Sequence, residues 1–117
     1  MSRSKIREER FLLLYQAMFD NAPEEQLDKI APILEYTDQA DEIINKYSKT
    51  RKVGRIPRIS VAIMRVALYE MECDDSVPDK VAINEAIELC KKYSGEADCK
   101  FVSGLLGSYY RDKEALL

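Results

Sequence analysis

Arg3, Arg7 and Arg10 stand at i, i+4 and i+7, so a helix would carry all three on one face. A guanidinium offers N–H donors in a rigid fork that suits phosphate or carboxylate. A row of three can therefore neutralise a phosphate backbone, or it can be the solvated end of a helix; the spacing leaves both open. A second set of cations follows at Lys46, Lys49, Arg51, Lys52, Arg55, Arg58 and Arg65, with no acid anywhere from residue 43 to residue 69. It reads either as a phosphate-binding surface or as a solvated loop. The acids gather elsewhere, in 20–42, where Lys29 is the one cation, and again in 70–79. The formal net charge of −3 hides this polarity. Phosphate binding responds to local rather than total charge.

Other chemistry is excluded by what the chain lacks. It has no histidine, which removes Ser-His-Asp and Cys-His nucleophile systems and imidazole metal sites. Cys73, Cys90 and Cys99 have no paired spacing and do not build a zinc site without histidine. They read as reduced thiols, as expected in the cytoplasm. Neither a dinucleotide fingerprint nor a P-loop motif is present. No carboxylate pair forms a recognisable catalytic set, so no enzyme activity, cofactor or metal is expected.

The elements that must position these cations are helices. A length of 117 residues suits one domain over 1–117, and 46% hydrophobic with 33% charged residues suits a globular fold. No apolar run approaches the roughly 18 residues of a membrane span, so no membrane is expected, and the mostly charged first ten residues do not form a signal peptide. Residues 3–19 predict a helix whose apolar stripe, through Leu14 and Ala17, turns basic towards its start, as if the first turns projected beyond the body. In 20–42, Leu27, Ile30, Ile33 and Leu34 keep helical spacing, but Pro32 should bend or interrupt that helix. Residues 59–73 are apolar nearly all round, with Arg65 and Glu70 the exceptions, and such a helix belongs at the centre of a bundle. Arg65 and Glu70 read as a surface or rim ion pair.

Pro78 suits a helix entry, with Ser76 or Asp79 available as cap. Ile83, Ala86, Ile87 and Cys90 line one apolar face of that helix, and Ala82, Leu89 and Tyr93 add a second strip. Lys91, Lys92 and Ser94-Gly95 suit its end. Asp98 can open a last helix with Phe101, Val102, Leu105 and Leu106 inward. No segment alternates with period two, so the fold class is all-α, a compact bundle of about five to seven helices.

Three of these helices carry a resemblance. Ile63-Met64-Arg65-Val66-Ala67-Leu68-Tyr69-Glu70-Met71, then Val77-Pro78-Asp79-Lys80-Val81-Ala82-Ile83-Asn84-Glu85-Ala86-Ile87-Glu88-Leu89, then Phe101-Val102-Ser103-Gly104-Leu105-Leu106, resemble the NusB family of bacterial antitermination factors. The family's patterns there are roughly (I/L)LR(I/L)A(L/V)YE(L/M), VPxKVAINEA(I/V)ELAK and KFVNGVL. A shorter likeness joins Ile6-Arg7-Glu8 through Leu14-Tyr15-Gln16 to the family's first helix. The chain departs from the pattern at Ser4, where arginine is usual and Lys5 stands next to it. It also departs at Ser103 for asparagine, at Gly107 for aspartate, and in lacking tryptophan near residue 53. Members are usually longer between the first helix and the LR-A-YE helix, so the N-terminal half should be shortened.

The resemblance implies a NusB-like RNA-binding domain that pairs with NusE, a small-subunit ribosomal protein, and binds boxA-type single-stranded RNA. It further implies entry into an RNA polymerase antitermination complex that suppresses termination in rRNA operons and assists ribosome biogenesis. Residue by residue, it assigns RNA contact to Arg3, Lys5, Arg7, Arg10, Lys100 and Phe101, and partner contact to Tyr15, Glu70 and Asp98. Phe101 also fits a core position. Self-association as a homodimer stays open, as does the alternative of an interaction module that has lost RNA binding, motivated by the shortened half, Ser103 and Gly107.

Overall fold

The computed structural model describes residues 2–117, and among them there are six α-helices, two 3-10 segments and no strand. The helices are α1 (Arg3–Ala17), α2 (Ala31–Glu35), α3 (Thr37–Tyr47), α4 (Arg58–Cys73), α5 (Asp79–Tyr93) and α6 (Glu96–Ala115); the 3-10 segments span Glu24–Ile30 and Val53–Arg55. The all-α expectation holds.

Helix α4 is the axis. Ten of its residues are buried, on all sides, and α1, α3, α5 and α6 pack around it. The core it organises includes Phe11 and Leu14 from α1, Ile30 and Ile33 from the short elements, Ile44 from α3, Ala82, Ala86 and Leu89 from α5, and Val102, Leu105 and Leu106 from α6. Each large side chain fully removed from water there contributes about 1.5–3 kcal/mol before entropy is counted. On α5 the buried strip is Ala82, Ala86, Leu89 and Cys90. Ile83 and Ile87 are only partly buried, at the edge of a shallow groove with Ser103 and Gly107. The small alanines let α5 approach both α4 and α6, which turns the isoleucines towards the rim.

Several local expectations change in the folded chain. Pro32 does not interrupt a helix; it sits in the first turn of α2, where its missing N–H costs nothing, and the Glu24–Ile30 segment ends just before it. The shortened N-terminal half is built from these brief elements. At the start of α5, neither Ser76 nor Asp79 caps: Pro78 is the cap residue and makes no side-chain bond, while the Ser76 hydroxyl donates to Asp74 Oδ1 at 2.6 Å. Helix α1 begins on Ser2, whose hydroxyl accepts the Lys5 N–H. It ends in a turn at Asp20, the one non-glycine residue with positive φ among those described (58°), a conformation Asp tolerates better than most residues.

Arg65 and Glu70 do not pair with each other. Arg65 forks onto Asp41 of α3 at 2.9 and 2.8 Å, tying α3 to α4. Glu70 is turned inward towards α1.

Candidate nucleic-acid interface

Arg3, Arg7 and Arg10 do share a face of α1, and all three line one cleft of about 180 Å³ against Glu70, Ser76 and Val77. The face does not project, however; it is docked on α4 and on the turn between α4 and α5. Arg7 is 5% exposed and Glu70 3%. Arg7 Nε donates to Glu70 Oε1 at 2.7 Å, and its Nη1 lies 3.2 Å from Glu85 Oε1 on α5. Arg3 Nη1 donates to the Ser76 carbonyl at 3.0 Å. The arginine row therefore serves first as the clamp that fixes α1 to the bundle. The charge of Arg7 is buried against two carboxylates, and the carboxylate of Glu70 is taken by Arg7, so both have a structural role beside the contacts that the family resemblance implies for them.

The cations that remain accessible on α1 are Arg3 and Lys5, both exposed, and Arg10, half-buried, none with an ion pair among the described residues. Lys5 flanks a wider groove of about 530 Å³ with Leu12, Gln16, Pro23 and Tyr93. Glu8 on its edge meets Lys92 Nζ at 2.6 Å and accepts the Tyr93 hydroxyl at 2.5 Å. The Lys92 contact, then the Tyr93 bond, hold the Glu8 carboxyl below its ordinary value.

The second collection of charge lies at the other end of the bundle. Lys100 is exposed on α6, and its ammonium stands 3.8 Å from a fully accessible Glu96, a contact of little energy. Phe101 is partly buried against the core, so it is both a packing residue and a surface one. The Arg51 guanidinium lies over its ring, 4.9 Å from the centroid. A groove of about 290 Å³ runs past them, lined by Tyr47, Lys49, Lys100, Phe101 and Ser108 among others.

The loop that delivers Arg51 is held from within. The Ser48 hydroxyl donates to the Arg51 carbonyl and accepts the Arg51 N–H at 3.3 Å, the Val53 N–H donates to Asn45 Oδ1 at 2.7 Å, and Ile56 is buried beneath. Tyr47 donates to Asp112 Oδ2 at 2.6 Å, which raises its phenol above the ordinary range and fixes the ring.

Of the partner-assigned residues, Tyr15 is half-exposed, with its ring 6.3 Å from Phe11 and 5.2 Å from Phe19. Phe19 is 42% exposed and carries the Arg58 guanidinium 4.6 Å above it. Asp98 lies in the first turn of α6 and accepts the Ser94 hydroxyl at 2.5 Å, so its local role is to close that helix start.

The pairing of Arg51 with Phe101 is absent from any reading of motifs. Its one sequence signal is that residues 43–69 carry seven cations and no acid.

A sequence model of the NusB family matches residues 8–111. The transcription antitermination protein NusB of Agathobacter rectalis is 34% identical over 130 aligned positions, covering 93% of this chain and 99% of that one. The alignment is longer than the 117 residues of this chain, so the relative carries residues omitted here. The corresponding protein of Acetivibrio thermocellus is 42% identical over 94 residues, 80% of this chain and 65% of that one. Among solved structures, NusB of T. maritima superposes with a TM-score of 0.80 at 26% identity, over 92% of this chain and 89% of that one.

Proposed function

This chain belongs to the NusB family, and from that premise we propose that it is an RNA-binding transcription antitermination factor. The observation that carries the reading is the extent of the likeness: it spans 99% of a relative named for antitermination, leaving no large part of that relative unrepresented. In this reading the protein acts in the cytoplasm with NusE, takes up boxA-type single-stranded RNA, and joins the polymerase complex that suppresses termination in rRNA operons and assists ribosome biogenesis. It works by binding and not by catalysis.

Phosphates are neutralised by Lys5, Arg10 and Lys100, and by Arg3 through the guanidinium N–H groups not used on Ser76. Phe101 offers a π-face to an unstacked base. Arg7 and Glu70 act as positioning residues that hold α1 in place. Tyr15 and the outer oxygen of Asp98 face the protein partner.

One observation favours the alternative of an interaction module without RNA binding: the central arginine of α1 is consumed by Glu70 and Glu85. Filter binding against a boxA-type RNA, with and without NusE, separates the two. The RNA reading expects tighter binding than to a scrambled RNA, enhanced by NusE. Equal binding to both RNAs in both conditions refutes it.

A further inference from the structure

We propose that the shallow groove between α5 and α6, walled by Ile83 and Ile87 and floored by Gly107, docks an acidic amphipathic helix of a partner protein, with Lys80 and Arg111 receiving its carboxylates. The site goes beyond the RNA-binding reading and shares no residue with the grooves at α1 or at Phe101.

The groove encloses about 400 Å³. Lys80, Ile83, Asn84 and Ile87 stand at i, i+3, i+4 and i+7, so they form one strip of α5. A short turn sends α6 back along α5, and Lys113 of α6 meets Asp79 at the start of α5. Lys80 and Arg111 therefore fall at one end of the groove, with Ile87 and Ser103 at the other. Ile83 and Ile87 are only half covered, and Val81, three residues before Asn84, is 43% exposed. An apolar strip left open along a helix pair is the surface that an amphipathic helix covers, through anchors one turn apart.

Charge decides which helix fits. No acid lines the groove. The carboxylates of α5 are committed elsewhere: Asp79 to Lys113 at 2.9 Å, Glu85 to Arg7 at 3.2 Å and Glu88 to Lys91 at 3.5 Å. Near the end of α6, Glu114 accepts the Tyr110 hydroxyl and Asp112 that of Tyr47. Lys80 and Arg111 are exposed, and neither has an ion pair among the described residues; Arg111 donates one N–H to the Ser108 hydroxyl at 3.2 Å. Other unpaired cations stand on the surface, but these two border an apolar trough. Their complement is a helix that carries apolar anchors and acids together.

Gly107 supplies a separate observation. Glycine is the poorest helix former after proline, and the packing of this chain does not demand it. Outside its own helix backbone and chain neighbours, a Cβ there would have one atom within 4 Å, Arg111 Nη1 at 3.4 Å, and the φ of Gly107 is not positive. What a missing side chain does provide is close approach from outside. A small anion or an RNA would leave the isoleucines and the bare backbone unused; a helix uses both.

The test uses the full chain and two fluorescein-labelled synthetic helices with the same leucines at i, i+4 and i+7. One carries glutamates beside the leucines, the other lysines. The glutamate peptide should bind about tenfold more tightly, the gain expected when two exposed ion pairs replace two repulsions. Lys80→Gln with Arg111→Gln should remove that difference. Gly107→Ala should raise Tm yet weaken binding of the glutamate peptide, a split that a purely structural glycine would not give. Amide NMR shifts on adding that peptide should centre on Ile83, Ile87, Ser103 and Gly107.

Equal affinity for the two peptides, or no saturable binding of either at millimolar concentration, overturns the proposal. So does binding that both sets of variants leave unchanged, or amide shifts confined to α1 or to the loop before α4. A wild-type dimer in sedimentation that Gly107→Ala dissociates would place a second copy in the groove and overturn the assignment to a partner protein. Each of these failures leaves the RNA-binding reading standing, because that reading rests on other surfaces.

Discussion

Replacing Glu70 by glutamine separates a structural role from a partner-facing one. In the folded chain Glu70 and Arg7 are 3% and 5% exposed and 2.7 Å apart. Glutamine keeps the shape of the side chain but leaves the Arg7 guanidinium buried with Glu85 alone, 3.2 Å away on a carboxylate whose side chain is 28% exposed. Removing one partner of a buried pair costs about 3–5 kcal/mol because the survivor stays desolvated. Glu85 recovers part of that, which places the expected loss near 3 kcal/mol. For a chain of this size that is a drop in Tm of roughly 10–15 °C, out of a total stability of about 5–15 kcal/mol.

The assay is urea and thermal unfolding followed by circular dichroism, run as a double-mutant cycle with Arg7→Gln. The two single losses should fail to add, with a coupling energy of about 1–3 kcal/mol. A single-variant loss under about 0.5 kcal/mol, the ordinary range of surface substitutions, would refute the clamp, as would additivity within experimental error. A surface role for Glu70 makes the opposite forecast: unchanged Tm and weakened binding to NusE.

Two further outcomes follow from burial and charge. Leu105→Asp places a carboxylate in the fully packed core and should abolish cooperative thermal unfolding, whereas Ile83→Asp, at a partly buried rim, should leave a folded protein with a lowered Tm; equal effects would contradict the orientation of α5. The Glu8 carboxyl, lowered by its bonds to Lys92 and Tyr93, contributes stability that is fully present above the ordinary carboxylate range and is lost as pH falls through its depressed value. The difference in Tm between wild type and Glu8→Gln should therefore be present at pH 7 and shrink as pH falls below the ordinary carboxylate range, and a difference that grew on acidification would contradict that sign.

Periodicity located the helices well because each buries a stripe, and a stripe is a local property of sequence. The nearly all-round apolar character of 59–73 was enough to place α4 at the centre. The fate of the arginine row was not local. Spacing puts Arg3, Arg7 and Arg10 on one face but does not say what covers that face, and the partner that covers it, Glu70, is 63 residues away. One hint was present: a lone acid on an apolar helix and a lone arginine leading into an apolar stripe are each costly alone and favourable together. The same logic applies to Arg65, whose acid is Asp41 of the preceding acidic segment and not the nearby Glu70. The groove at Phe101 was half legible. Its motif was visible, but the stacking of Arg51 needed a loop conformation set by Ser48 and Asn45, which composition does not encode.

These two outcomes bear on how a family's residues are carried to a member. Matching position by position assigns the same task to Arg3, Arg7 and Arg10, yet a cation can bind RNA only with the donors that folding leaves over. Helix α1 spends its central charge on Glu70 and Glu85, and gains a fixed orientation from it. The loop before α4 spends none of its side-chain charge on carboxylates and takes its order from backbone bonds instead. A clamp and a phosphate surface thus make opposite demands on an arginine: the first needs a buried carboxylate, the second needs its absence. Because the chain has both paired and unpaired arginines, burial of Arg7 on α1 does not by itself decide whether the protein binds RNA. The salt slope, which counts released ions rather than matching positions, is the measurement that tells which arginines still do that task.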